Sequence, residues 1–337
     1  MSIEDLIANE AVIITLTHSG LIKRTNISSY RSQRRGGQGV IGAKTREALG
    51  EEQQETDFVE HLFTASTHDY LMFFTNTGRV YVERVHEIPE GSRASKGRNI
   101  ANVLELQPTE AVVAMLRIES RAVAGEEDAT WDPGRFVFLA TKKGTVKKTS
   151  LDQFANVRRG GIIAIGVEPG DQVIGARLTL GSDEVVLITR DGMSIRFHED
   201  GVRSMGRPAG GVRGITLEGK DEGVGLAIVD PKAALLVAGN RGIGKRTGFD
   251  EYRKQTRGGK GIITMKTGER TGEVVGAVTV TDADEVMLTT AKGLMVRIAC
   301  KDIRETGRNT QGVKLVNLRE GDKLLGLAPV ITVEDEE

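Results

Sequence analysis

Along most of this chain, apolar runs of five or six residues are broken by short polar turns that end in glycine. FVFLATKKGTVKKTSLDQF (136–154) shows the pattern: an apolar strand, a turn closing on Gly144, then a second strand. It returns in VIITLTHSGLIKRTNISSY (12–30), YLMFFTNTGRVYVERVHEI (70–88), EVVLITRDGMSIRFHEDGV (184–202), ALLVAGNRGIGKRTGFDEY (234–252) and EVMLTTAKGLMVRIACKDI (285–303). Short apolar runs bounded by glycine turns predict β-hairpins. The turn glycines, Gly20, Gly78, Gly144, Gly192, Gly242 and Gly293, recur roughly every fifty residues with two insertions.

The register continues past the hairpins. Nineteen residues after the turn glycines stand Gly39, Gly97, Ile163, Gly211, Gly261 and Gly312, five glycines in six. Further strand pairs follow, as in GVRGITLEGKDEGVGLAIV (211–229), so each unit reads as four short strands with a long loop between the second and third. Four-stranded units repeated at this period predict radial blades. Independent fifty-residue barrels without disulfide or metal would be marginally stable, which favours one disc. The expected fold is therefore all-β: one six-bladed domain over 11–331 with blades beginning near 12, 70, 136, 184, 234 and 285. Residues 1–10 form a lead-in and 332–337 an acidic tail.

Composition agrees with this picture. Glycine is abundant (42 residues), proline scarce (7) and aromatic content only 4%, which suits many turns and an aliphatic core. The single Cys300 excludes an internal disulfide, reads as a small buried residue and fits a reducing cytoplasm. The acidic start MSIEDLIANE does not resemble a signal peptide, and no apolar run is long enough to span a membrane.

Charge changes the functional picture. The formal net charge of -1 hides a segregation: acids crowd 47–60, 119–132 and the terminal Glu334-Asp335-Glu336-Glu337, leaving the remainder basic. Four residues past each turn glycine stand Arg24, Val82, Lys148, Arg196, Arg246 and Arg297, with Lys23, Lys147 and Lys245 one position earlier. A repeated position should lie on one rim, so this register predicts a cationic track for a polyanion. The inter-strand loops add to it: QRRGGQG (33–39), GSRASKGRN (91–99), VRRGGI (157–162), GRPAGGVRG (206–214), QTRGGKG (255–261) and TGRNTQG (306–312). They contribute Arg158, Arg159, Arg257, Lys260 and Arg308 as further candidates. Aromatic side chains are scarce in these loops, and no groove-reading helix is evident. Backbone contact to duplex DNA, with little sequence readout, is the expected mode.

Other chemistry finds no support. GNRGIGK (239–245) matches the start of a phosphate-binding P-loop, but Arg246 follows where Ser or Thr should hold magnesium, and the segment is a hairpin. The five histidines, His18, His61, His68, His86 and His198, form no metal-ligand spacing, and no acid, base and nucleophile converge.

The heptapeptide Gln33-Arg34-Arg35-Gly36-Gly37-Gln38-Gly39 resembles the gyrase A box, Q-(R/K)-R-G-G-(R/K)-G, and the six repeats resemble the C-terminal domain of the DNA gyrase A subunit over essentially the whole chain. Gln38 stands where the family has Lys or Arg, which by this resemblance weakens one phosphate contact and leaves Arg34, Arg35 and the glycines in place. The resemblance implies a β-pinwheel whose neighbouring blades exchange strands and which wraps double-stranded DNA with positive handedness. The ATP-driven holoenzyme, two A and two B subunits in the bacterial cytoplasm, would then introduce negative supercoils. It also implies a monomeric, non-catalytic fragment with no cofactor of its own, ATP and magnesium belonging to other parts of the holoenzyme. Two other classes stay open: a topoisomerase IV C-terminal domain, whose box is degenerate, and a propeller-like protein-interaction scaffold, which would lack the basic register.

Overall fold

A computed structural model describes residues 6–27, 59–92, 94–122 and 126–330. The heptapeptide 33–39, including Arg34, Arg35 and Gln38, lies outside the described residues, as does the acidic end 334–337.

All six hairpins form, and their turns explain why. Gly20, Gly78, Gly144, Gly192, Gly242 and Gly293 all adopt positive φ, between 77° and 89°, a region that L side chains rarely enter. In five hairpins a threonine closes the turn with its hydroxyl. The Oγ1 of Thr17, Thr75, Thr141, Thr189 and Thr290 accepts a backbone N–H four residues on, at 3.0–3.3 Å. The fifth hairpin has Gly239 there instead, and a Cβ at that position would collide with the Thr271 carbonyl.

Each hairpin is the centre of a sheet. On one side lies a long strand: Val59–Ser66, Val112–Ile118, Val173–Thr179, Gly223–Ile228, Val274–Val280 or Leu324–Val330. These six strands lie beside one another in succession, and Leu324–Val330 meets Val59–Ser66, so they form a hub and the ring closes. On the outer side of the first five blades is a two-residue strand donated by the following repeat. Arg98–Asn99, Ile162–Ile163, Val212–Arg213, Ile262–Ile263 and Val313–Lys314 each pair with the preceding blade's second hairpin strand. The blades thus exchange strands as expected. The sixth sheet contains three strands among the described residues.

A positive-φ glycine precedes each donated strand: Gly97, Gly161, Gly211, Gly261 and Gly312. This corrects one position of the sequence register. In the third repeat the glycine is Gly161, not position 163, because that loop is two residues shorter. Ile163 is already in the donated strand.

The core is a stack of layers between blades. Phe138 of blade three and Phe197 of blade four, ring centroids 6.3 Å apart, share one layer with Leu187, Ile195 and Leu226. A blade inside the ring has a neighbour on both faces, so alternation along a hairpin strand does not lead to water. Every residue of Ile243–Gly248 is buried. Cys300 is buried too, in the last of these layers. Among the described residues, no helix is long and apolar enough to cross a membrane.

Candidate nucleic-acid interface

The same double-sided burial decides what the basic register does. Lys147 and Lys245 are fully buried, and Lys23, Lys148 and Arg246 nearly so. The Lys147 ammonium donates to the carbonyls of Ala164, at 2.6 Å, and Arg207. That of Lys245 donates to the carbonyls of Gly307 (3.1 Å), Arg308 and Thr310 (3.2 Å). Lys23 donates to those of Ser92 (3.1 Å) and Ser95 (2.8 Å). Burial pulls Lys147 and Lys245 down to about 8, helped by the guanidiniums of Arg207 and Arg308 and opposed at Lys245 by Glu251. Burial alone lowers Lys23.

The next position holds clamps. Arg24 donates to the Ile88 carbonyl of blade two at 2.8 Å, with Glu90 at 3.9 Å. Lys148 of blade three reaches the Glu199 carbonyl (3.2 Å) and carboxylate (3.5 Å) in blade four, lying over the Phe136 ring. Arg196 of blade four is held by Glu184 (2.8 Å) and by the Phe249 carbonyl of blade five at 2.7 Å. Arg246 pairs with Asp282, and Arg297 with Glu285. The expectation of a solvent-facing cationic track at Lys23, Arg24, Lys147, Lys148, Arg196, Lys245, Arg246 and Arg297 is therefore corrected. The repeat is real, but its cations already have protein partners: the lysines and Arg246 are buried, and Arg24, Arg196 and Arg297 are half-buried. Three of these clamps, Arg24, Lys148 and Arg196, tie one blade to the next.

Water meets the cations on the outer loops. Arg158 and Arg159 are exposed, and Arg159 makes a surface pair with Glu105 at 3.4 Å. Lys260 is exposed and pairs with Glu218, whose hydrogen bond and charge raise the lysine above its ordinary range. Exposed pairs of this kind are worth about 0–1 kcal/mol, so a phosphate can replace either carboxylate. Arg257 and Arg308 are half-buried latches. Arg257 donates to the carbonyls of Gly201 (2.6 Å) and Arg213 (3.0 Å), and Arg308 to those of Glu251 (3.2 Å) and Ile263. Each guanidinium has five N–H groups, so each keeps donors for a ligand.

Sequence reasoning missed a further register. Arg203, Arg253 and Arg304 stand eleven residues after Gly192, Gly242 and Gly293, just past the short 3-10 turn where each outer loop begins. All three are exposed, and the same count from Gly20 reaches Arg31, outside the described residues. The signal was available at the same period; it was read only at other positions.

Comparison with known proteins follows the same division into repeats. The family model for the DNA gyrase C-terminal domain, beta-propeller, matches residues 11–51, 69–119, 135–179, 183–230, 233–281 and 284–331. The DNA gyrase A subunit of Salmonella typhimurium is 43% identical over 338 residues, covering 100% of this chain and 36% of that protein. Its counterpart from Mycolicibacterium smegmatis is 42% identical over 97% of this chain and 37% of that protein. The chain thus spans a little over a third of the length of these relatives. Among solved structures, the C-terminal domain of DNA topoisomerase IV superposes with a TM-score of 0.76 at 26% identity, covering 96% of this chain and 94% of that one. A DNA gyrase A C-terminal domain superposes at 0.72 and 22% identity over 96% of this chain and 100% of that one, a likeness of fold.

Proposed function

The chain belongs to the DNA gyrase C-terminal domain family, and from that premise we propose that it wraps duplex DNA around the outer rim of its ring. In this reading the wrap lets the gyrase holoenzyme of the bacterial cytoplasm, built from A and B subunits, introduce negative supercoils at the expense of ATP. The ring itself carries no reaction step; ATP and magnesium act elsewhere in the enzyme.

One observation carries the reading: exposed arginines recur at equivalent outer-loop positions, Arg203, Arg253 and Arg304, in three successive blades. Arg158 and Arg159 add exposed charge on the loop of the third repeat. Bending a duplex round a disc costs on the order of 10 kcal/mol by elastic reasoning. One exposed ion pair supplies about 0–1 kcal/mol, although each phosphate contact also releases counterions. A bend of that cost needs contacts spread over several blades, and a repeated rim supplies them.

Ligation of a nicked circle in the presence of the protein tests this. A positive change in linking number supports wrapping. Binding without any linking-number change would instead favour a topoisomerase IV-like domain that holds DNA segments without a full wrap. Failure to bind duplex DNA would remove both readings and leave a protein-interaction scaffold.

A further inference from the structure

The position three residues past each turn glycine alternates around the ring. It is Lys23, Lys147 and Lys245 in blades one, three and five, and Tyr81, Ile195 and Val296 in blades two, four and six. The outer loops alternate with it. Each buried lysine reaches into the loop of the following repeat: Lys23 to Ser92 and Ser95, Lys147 to Arg207, and Lys245 to Gly307, Arg308 and Thr310. At Tyr81 and Ile195 the loop resting on the side chain carries an RGG run instead. Gly161 backs onto Tyr81, where a Cβ would lie 2.9 Å from the ring. Gly259 and Gly261 back onto Ile195, where Cβ atoms would lie 3.7 and 3.4 Å from its side chain.

The two loop types solve one problem in different ways. A loop laid over the end of a blade must satisfy any carbonyl it turns away from water. RGG loops bring bare backbone close to an apolar side chain. The others turn carbonyls inward, and an ammonium, with three N–H donors and no acceptor, fits such a cluster. Lys147 and Lys245 take the carbonyl of the same loop position, four residues before the positive-φ glycine, which is Arg207 in one loop and Arg308 in the other.

We infer that Lys23, Lys147 and Lys245 are positioning residues of the rim: each staples the loop of the following repeat, so that its arginine is presented to the DNA phosphates at a fixed place. The inference rests on the DNA-wrapping reading. It assigns these lysines a part in binding although none of them touches DNA. The guanidinium of Arg308, already latched on Glu251 and Ile263, keeps free N–H groups for a phosphate once its backbone is held by Lys245.

The test is the salt dependence of affinity for a short duplex, measured for Arg308→Ala, Lys245→Met and the double variant. Each phosphate contact contributes about 0.9 to the slope of log affinity against log salt. Arg308→Ala should make the slope shallower by about 0.9, Lys245→Met by a similar amount, and the double variant no more than either. Arg207→Ala with Lys147→Met should repeat the pattern. A merely structural lysine would lower the active fraction at every salt concentration and leave the slope alone. That result with a folded Lys245→Met, when Arg308→Ala does change the slope, overturns the staple. An unchanged slope for Arg308→Ala overturns the assignment one step earlier, at the arginine's contact with phosphate. Should Lys245→Met fail to fold, amide exchange on the unaltered protein decides. The staple requires residues 306–312 to exchange with the neighbouring strands, and free-peptide rates there overturn it.

Discussion

Replacing Arg203, Arg253 and Arg304 together by alanine separates the rim from the inner register. All three are exposed and, among the described residues, make no ion pair, so their loss should leave folding within about 0.5 kcal/mol per site. If each meets one phosphate, the salt slope should fall by about 2.7, which at 0.1 M salt corresponds to an affinity lower by about 10²–10³. The counterpart is Arg196→Ala. That side chain lies between Glu184 and the Phe249 and Tyr252 carbonyls, and its removal leaves polar groups at the blade junction without their donor. Stability should drop by about 1–3 kcal/mol with no change in slope. Fluorescence anisotropy with a labelled duplex from about 50 to 300 mM salt gives the slopes, and urea unfolding gives the stabilities. A triple variant with the parent's slope would refute the rim reading, and a shallower slope for Arg196→Ala would return the inner register to the DNA path.

The buried lysines give a pH dependence with a definite sign. Lys147 and Lys245 are near 8 in the folded protein against 10.5 for a free lysine. Between these values the unfolded chain holds more protons, so stability should rise from pH 8 to 10.5 relative to a Lys147→Met, Lys245→Met variant, and a level difference in urea melts would contradict this. Replacing Arg34, Arg35 and Gln38 by alanine, keeping Gly36, Gly37 and Gly39, should weaken binding modestly yet largely abolish the linking-number change. A linking-number change equal to the parent's would reduce the heptapeptide to a charged turn. Deleting Glu334 to Glu337 should raise affinity or wrapping at low salt if the acids compete with DNA for the rim; identical binding curves would leave them a solubilising end.

How much of this the sequence disclosed depends on the range of each interaction. The hairpins were legible because a glycine turn and two apolar strands are contiguous, and even the closing threonine lies within four residues of its partner. The donated strands were visible as segments, but their partner is one blade back. The pairing of Ile262–Ile263 with Met193–His198 spans nearly seventy residues and rests on two registered pairs. The glycine of the third repeat's loop was misplaced for a related reason. Gly161 is identified by its place before the donated strand rather than by its distance from the turn.

The charged register was read on the wrong side of the protein because period alone does not say which way a strand faces. In a two-layer fold an alternating basic position would point to solvent, but in a ring of blades both faces of a hairpin are covered. A cation there must carry its partner with it. That partner was within reach of sequence reasoning. Twelve residues before Arg196 stands Glu184, and twelve before Arg297 stands Glu285, placed diagonally across the hairpin where a long side chain can reach. Both pairs form. The same count from Lys148 lands on Phe136, whose ring lies 4.8 Å from the ammonium. From Arg246 it lands on Ala234, which offers nothing, and Arg246 turns to Asp282. A periodic cation matched by a carboxylate or an aromatic ring across its own hairpin belongs to the fold. One without such a match, at the head of an outer loop like Arg203, Arg253 and Arg304, stays exposed and makes no ion pair among the described residues.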